Sequence, residues 1–266
     1  MLQPTVISMK QRLFFILWVV LISLPPSKLL AVSLYETAGI EITCTINQFL
    51  LSGSISMRSI ERTRLRGKEV ILWRGKVNKP GGILGFIASL LKTYKGATVY
   101  DSYIDIETHL PVEYLEYRID PGEGKKIVEH ILYNRENHSI KSLINGTVLN
   151  DVPCDIQDGA SILIRFLNRA NTDRIVVGKT LRGNTVVDME IDEIIVEVTD
   201  VKSTPDGVIY TFTSRKLPNV GKYPTVLKTQ LLDDGEKKLP ISVVGIVRIH
   251  IIGRINIEGT LTTSGI

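Results

Sequence analysis

The sequence predicts a mainly β protein whose antiparallel sheet packs on one or two amphipathic helices. Nearly every stretch after residue 34 shows the two-residue alternation of apolar and polar side chains that marks half-buried strands. Turn-forming clusters punctuate those stretches, among them Arg66-Gly67-Lys68, Asp120-Pro121-Gly122-Glu123-Gly124 and Thr204-Pro205-Asp206-Gly207. One segment, 158–170, is instead apolar at helical spacing. A lone apolar helix and a half-apolar sheet each need the other as cover.

The elements follow in order. Ile40, Ile42, Cys44 and Ile46 alternate with Glu41, Thr43, Thr45 and Asn47, giving a half-buried first strand. A more polar strand is predicted over 55–65 and a third, carrying Trp73, over 70–77. Pro80-Gly81-Gly82 breaks that pattern. Residues 83–94 then read as a helix with Ile83, Phe86, Ile87, Leu90, Leu91 and Tyr94 in one stripe. Gly85 weakens this helix by roughly 1 kcal/mol. Strands resume over 99–106, 114–119, 127–133 and 140–149, with Asn145-Gly146 inside the last as a hairpin turn or a bulge.

The segment 158–170 is the element around which the rest is organised. Asp158 suits an N-cap, able to accept from backbone N–H groups two or three residues on, with its charge favoured by the helix dipole. Ile162, Leu163, Phe166, Leu167 and Ala170 share one side of the wheel, and Arg165, Asn168 and Arg169 the other. Beyond it, Arg182-Gly183-Asn184 leads into one long strand, 185–201, followed by strands over 208–214, 226–232, 239–247 and 248–261. Gly245, Gly253 and Gly259 are placed to mark bends or bulges in a curved sheet.

The N-terminus has a different character. Lys10 and Arg12 precede the unbroken apolar run 13–22, then Pro25-Pro26 and a small-residue site at Ala31-Val32-Ser33. This is the pattern of a secretory signal peptide, starting at Met1 or Met9, with an uncleaved anchor as the alternative. The run is shorter than the roughly 20 residues of a membrane span, and no later segment is apolar enough to span. No cysteine follows closely, so the lipoprotein form of the signal is absent. The expected organisation is a signal peptide over 1–33 and a single β-rich domain over 34–266. Three basic residues and no acidic ones lie in that leader, so the formal charge of +4 falls to +1 without it. A surface so nearly neutral gives no argument for nucleic acid. Cys44 and Cys154 are the two cysteines. They are able to pair in an oxidising compartment, or to stand as two buried free thiols.

Three stretches together resemble a known family. They are the run GFIASLLKTYKGATVYDSYIDIETHLPVEYLEYR, the segment VPCDIQDGASILIRFLNRA, and the end LLDDGEKKLPISVVGIVRIHIIGRINIEGTL. In that order they are similar to the exported bacterial family known as domain of unknown function 3108. The chain departs from its pattern at Gly159-Ala160, where an apolar residue is expected before the serine, and it lacks an aromatic pair in the central helix. The resemblance implies a periplasmic or envelope-associated domain with a curved, half-barrel-like antiparallel sheet resting on helices. It brings no catalytic residues.

Sites of chemistry are sparse in the sequence. None of His109, His130, His138 and His250 stands at ligand spacing from another metal-type residue. No nucleophile elbow, zinc-protease, P-loop or dinucleotide motif occurs. Ser161 reads as part of the helix start. Asp188, Glu190 and Asp192 alternate along one predicted strand face, a pattern compatible with calcium but simpler as a solvated face balanced by Lys179, Arg182 or a cross-strand cation. Arg58, Arg62, Arg64 and Arg66 give a basic stripe, suited to lipid headgroups or an acidic polymer, or more simply to guarding an edge strand. The function expected is therefore non-enzymatic: an exported periplasmic or outer-envelope domain that binds an apolar ligand such as a lipid or lipoprotein acyl chain. Phe86, Leu90 and Phe166 are the expected ligand-lining residues. No cofactor and no metal are indicated, and the partners expected are a lipid or an envelope protein. The alternatives are a structural or protein-interaction module of the envelope and, last, an enzyme acting on cell-wall polysaccharide with paired carboxylates.

Overall fold

The computed structural model describes residues 39, 41–47, 52–78, 97–120, 122, 124–158, 160–162, 165, 175–187, 189–217, 226–233, 238–249 and 253–264. The described strands form one antiparallel sheet of fourteen. In chain order they are β1 (Glu41–Asn47), β2 (Ser52–Leu65), β3 (Lys68–Val77), β4 (Ala97–Asp105) and β5 (Pro111–Asp120). Then come β6 (Gly124–Asn134), β7 (Ser139–Ser142), β8 (Val148–Leu149), β9 (Thr180–Val187) and β10 (Glu190–Thr204). The last four are β11 (Gly207–Leu217), β12 (Val226–Asp233), β13 (Lys238–Ile249) and β14 (Gly253–Ser264). The spatial order is β8-β7-β6-β5-β4-β3-β2-β1-β14-β13-β12-β11-β10-β9. Two meanders are thus joined through β1 and β14, where Cys44 stands opposite Leu261.

Local chemistry accounts for three of the turns. Arg66 and Gly67 both have positive φ, 52° and 79°, the two-residue geometry that matches the twist of paired strands. Gly122 and Gly124 supply the left-handed residues between β5 and β6. Thr204 Oγ1 donates to the Gly207 carbonyl at 2.9 Å and closes the β10–β11 turn.

Three expectations are corrected. The stretch 185–201 is not one strand: Glu190 pairs with Val187 across a two-residue turn in which Met189 has φ 56°. Of the expected row of carboxylates, Asp188 lies outside the described residues, and Asp192 is buried opposite Thr185 rather than solvated. Over 140–149 the hairpin turn, one of the two expected alternatives, is found: two short antiparallel strands meet around Asn145-Gly146. The arginine stripe lies on no sheet edge, because β2 is paired on both sides, with β1 and β3. A bulge at Ile60 also splits it, since Arg58 pairs with Arg74 while Arg62 pairs with Ile71, on the opposite face.

The sheet curls on itself. Gln157 N–H donates to the Asn184 carbonyl in β9 at 2.9 Å, and the Val186 N–H donates to the Gln157 carbonyl. The next residue, Asp158, accepts from Ser102 Oγ in β4 at 2.6 Å. β4 and β9 stand nine places apart in the strand order, roughly 40 Å in a flat sheet. Two adjacent residues touch both only if the sheet is rolled. The face they touch carries a buried row across six strands: Ser59, Trp73, Ser102, Tyr114, Ile131 and Ser142 stand in register from β2 to β7. Residues 160–162 and 165 are helical. The expected helix over 83–94, the rest of the expected helix over 158–170, and the leader lie outside the described residues. Packing of the sheet on whole helices is therefore not part of the described fold.

Candidate functional site

Alternate turns of a meander fall at the same end of its sheet. The β2–β3, β4–β5 and β6–β7 turns accordingly gather, and they line a cleft of about 290 Å³. Its walls are Arg66, Lys68, Thr108, Asn134, Arg135 and Glu136, with Leu110, Pro111, Val112, Leu132 and Tyr133 as the less polar lining.

Buried carboxylates fix two of the cations. Arg66 Nε donates to Glu113 Oε2 at 3.1 Å, and His130 Nε2 lies 2.7 Å from Glu113 Oε1. Lys68 Nζ donates to Asp105 Oδ2 at 2.9 Å, while Asp105 Oδ1 accepts from the N–H groups of Glu107 and Thr108. Burial pushes the Asp105 carboxyl up, but Lys68 and the two backbone donors outweigh it and hold it below its usual value. Arg135 is fixed differently. Its Nη1 donates to the Cys154 carbonyl, its Nη2 to those of Pro111 and Ile156, and its guanidinium lies 5.3 Å from the Tyr133 ring centre. Burial lowers its pKa. The Tyr133 hydroxyl is buried without a hydrogen-bond partner, and burial, followed by the nearby Asp158 and Glu129 charges, pushes its pKa well up.

Behind the cleft, Asp158 is nearly inaccessible, at 2% exposure. Its Oδ1 accepts the Ser161 N–H at 2.8 Å, and its own N–H donates to Ser161 Oγ at 2.9 Å, a reciprocal cap. The expected N-cap is therefore present, with a role the sequence did not suggest: through Ser102 it also ties the closing segment to β4. Burial raises its pKa, opposed by the bonds from Ser102 and Ser161. Ser161 belongs to this cap, as expected.

The expected ligand-lining residues Phe86, Leu90 and Phe166 all lie outside the described residues, as does His250. Arg165 pairs with Asp155 at 3.3 Å, and Arg182 with Glu193 at 3.1 Å. His109 and His138 sit in exposed turns with positive φ. Cys44 is buried and Cys154 exposed, both as free thiols, so the pair of buried thiols expected as one alternative is not found. Among the described residues, no group of three His, Cys, Asp or Glu could hold a metal ion. Among them also, no helix is long and apolar enough to cross a membrane. The Arg66–Glu113–His130 network was not foreseen, because register alone brings together residues 47 and 17 positions apart.

Fold and cleft together define a mainly β, barrel-like domain with a small mixed polar and apolar cleft at one end. No family model matches the chain, and no curated protein matches it. Among solved structures it is similar to the crystal structure of a β-barrel-like protein of domain of unknown function DUF1849 from Brucella abortus. That match has a TM-score of 0.50 and 9% identity, and covers 86% of this chain and 98% of that one. A DUF1089 family protein from Pseudomonas aeruginosa aligns at a TM-score of 0.29 and 11% identity, over 77% of this chain and 90% of that one. The first likeness shows the fold alone.

Proposed function

We propose that this protein is a non-enzymatic binding domain, exported to the periplasm or outer envelope, that takes an apolar ligand such as a lipid or lipoprotein acyl chain. The observation that carries the reading is the apolar lining of the cleft, Leu110, Pro111, Val112 and Leu132, at the open end of a rolled sheet. Binding sites are commonly concave and largely apolar, with a few placed polar groups for orientation. The leader-like N-terminus and the resemblance to the domain of unknown function 3108 family accord with it. Purified protein is examined by native mass spectrometry and lipid extraction, then titrated with a fluorescent fatty acid. A co-purifying lipid, or saturable uptake that Leu132→Asp abolishes without unfolding, is expected. Ligand-free protein with no uptake sinks the reading.

A further inference from the structure

The cleft has a charged mouth whose geometry says more about the ligand than its lining does. Arg66 and Lys68 flank Gly67 in a two-residue turn fixed by positive φ at both turn positions, so neither is on a loose loop. Each is anchored from behind. The Glu113 and Asp105 side chains are only 11% and 7% exposed, while Arg66 and Lys68 are 52% and 45% exposed. The carboxylates are turned inward and already engaged, Glu113 by Arg66 and His130, Asp105 by Lys68 and two backbone N–H groups. Arg66 uses only Nε within the described residues, leaving both Nη groups, and Lys68 uses one of its three N–H bonds. At Arg66 and Lys68 solvent therefore meets donors, while the exposed Glu136 carboxylate stands on the β6–β7 side of the same cleft.

We propose that Arg66 and Lys68 form an oxyanion seat at the mouth of the cleft. It takes the phosphate or carboxylate head of a small amphiphile whose apolar part lies on Leu110, Val112 and Leu132. The inference rests on the apolar-ligand reading and deepens it. A guanidinium edge offers paired donors to a planar or tetrahedral oxyanion, and an ammonium two residues away adds a second charge. Both are preorganised by their carboxylate partners, which lowers the ordering cost on binding. The size limits the ligand. About 290 Å³ is roughly ten water volumes, room for a head group and a few methylenes but not for a diacyl lipid.

Isothermal titration of the whole purified protein compares octyl phosphate, octanol and inorganic phosphate, with phosphatidylglycerol vesicles as a separate arm. Octyl phosphate is expected to bind more tightly than octanol or phosphate, and to weaken as sodium chloride rises. Arg66→Gln and Lys68→Gln each lower that affinity about tenfold, as loss of a charge-assisted hydrogen bond does. Lys68→Arg retains it, which separates lost charge from lost fold, and melting curves of all variants check folding independently. Vesicle binding with the same sensitivity identifies a lipid head group as the source; octyl phosphate binding without it identifies a free amphiphile. Equal affinity for octanol and octyl phosphate, or indifference to both Gln substitutions, overturns the seat and leaves apolar binding standing. No binding of either overturns both readings.

Discussion

Ile162 Cδ1 lies 2.9 Å from the point that a Cβ on Gly183 would occupy. The start of the helical segment is thus pressed onto the backbone of β9, and glycine is there for proximity rather than for a turn. Gly183→Ala forces Ile162 or the strand to move, a cost of about 1–3 kcal/mol. Ile162→Val removes the offending methyl, so the double variant recovers part of that loss. Urea midpoints of the four-member cycle check it; simple additivity would show that the two residues do not press on one another.

Asp158 ties stability to pH with a definite sign. Its pKa is raised in the folded protein, so the folded state holds that proton more tightly than the unfolded chain, where Asp titrates near 3.9. The contribution is fully present below that unfolded value and is lost as pH rises through the folded one. Asp158→Asn keeps an acceptor for Ser161 and offers a donor to Ser102, with no charge to desolvate. Its stability relative to the parent should therefore increase between about pH 4 and the folded value, then level off. Parallel denaturation profiles for the two proteins would refute this. Asp158→Ala strands two buried groups and should cost about 2–3 kcal/mol, against ~1 for an exposed cap.

The two thiols should differ sharply in reactivity. Burial pushes the Cys44 thiol up to about 12, whereas Cys154 is exposed. The thiolate is the nucleophile, so a maleimide added to native protein should label Cys154 alone, and both residues after denaturation. Peptide mass spectrometry reads the outcome. Comparable native labelling of Cys44 would mean that β1 opens readily.

Trp73 is fully buried, and its indole Nε1 has no hydrogen-bond partner. Trp73→Phe loses packing volume but also removes a buried donor that costs about 1–3 kcal/mol when unsatisfied. The net change should be small, about 1 kcal/mol or less, while Trp73→Ala should cost about 3–5 kcal/mol. A large loss in the Phe variant, by thermal or urea melt, would show that the indole nitrogen is bonded after all.

The alternation and the glycine or proline turns made most strands legible. Residues 52–77, for example, become two strands joined where Arg66-Gly67 stands. The β9–β10 turn was not legible, because Asp188-Met189 contains no glycine or proline and alternation runs through it. Gly183 looked like the start of a strand and sits inside one, serving Ile162. The cap at Asp158 was readable from its local sequence; its bond to Ser102 was not, since 56 residues and a rolled sheet separate the two. The cleft escaped for the same reason. Each of its turns is ordinary alone, and only the shared end of the meander assembles them.

The β1–β14 seam also sets an order of assembly. Every other strand pairing among the described residues joins consecutive strands, so each meander can zip up from hairpins as synthesis proceeds. Glu41, by contrast, must wait for Ser264, its register partner 223 positions further along the chain. Until then β1 is a bare edge open to a neighbouring chain's strand, and a holdase that covers this early segment would protect the newborn protein when it is most exposed to aggregation.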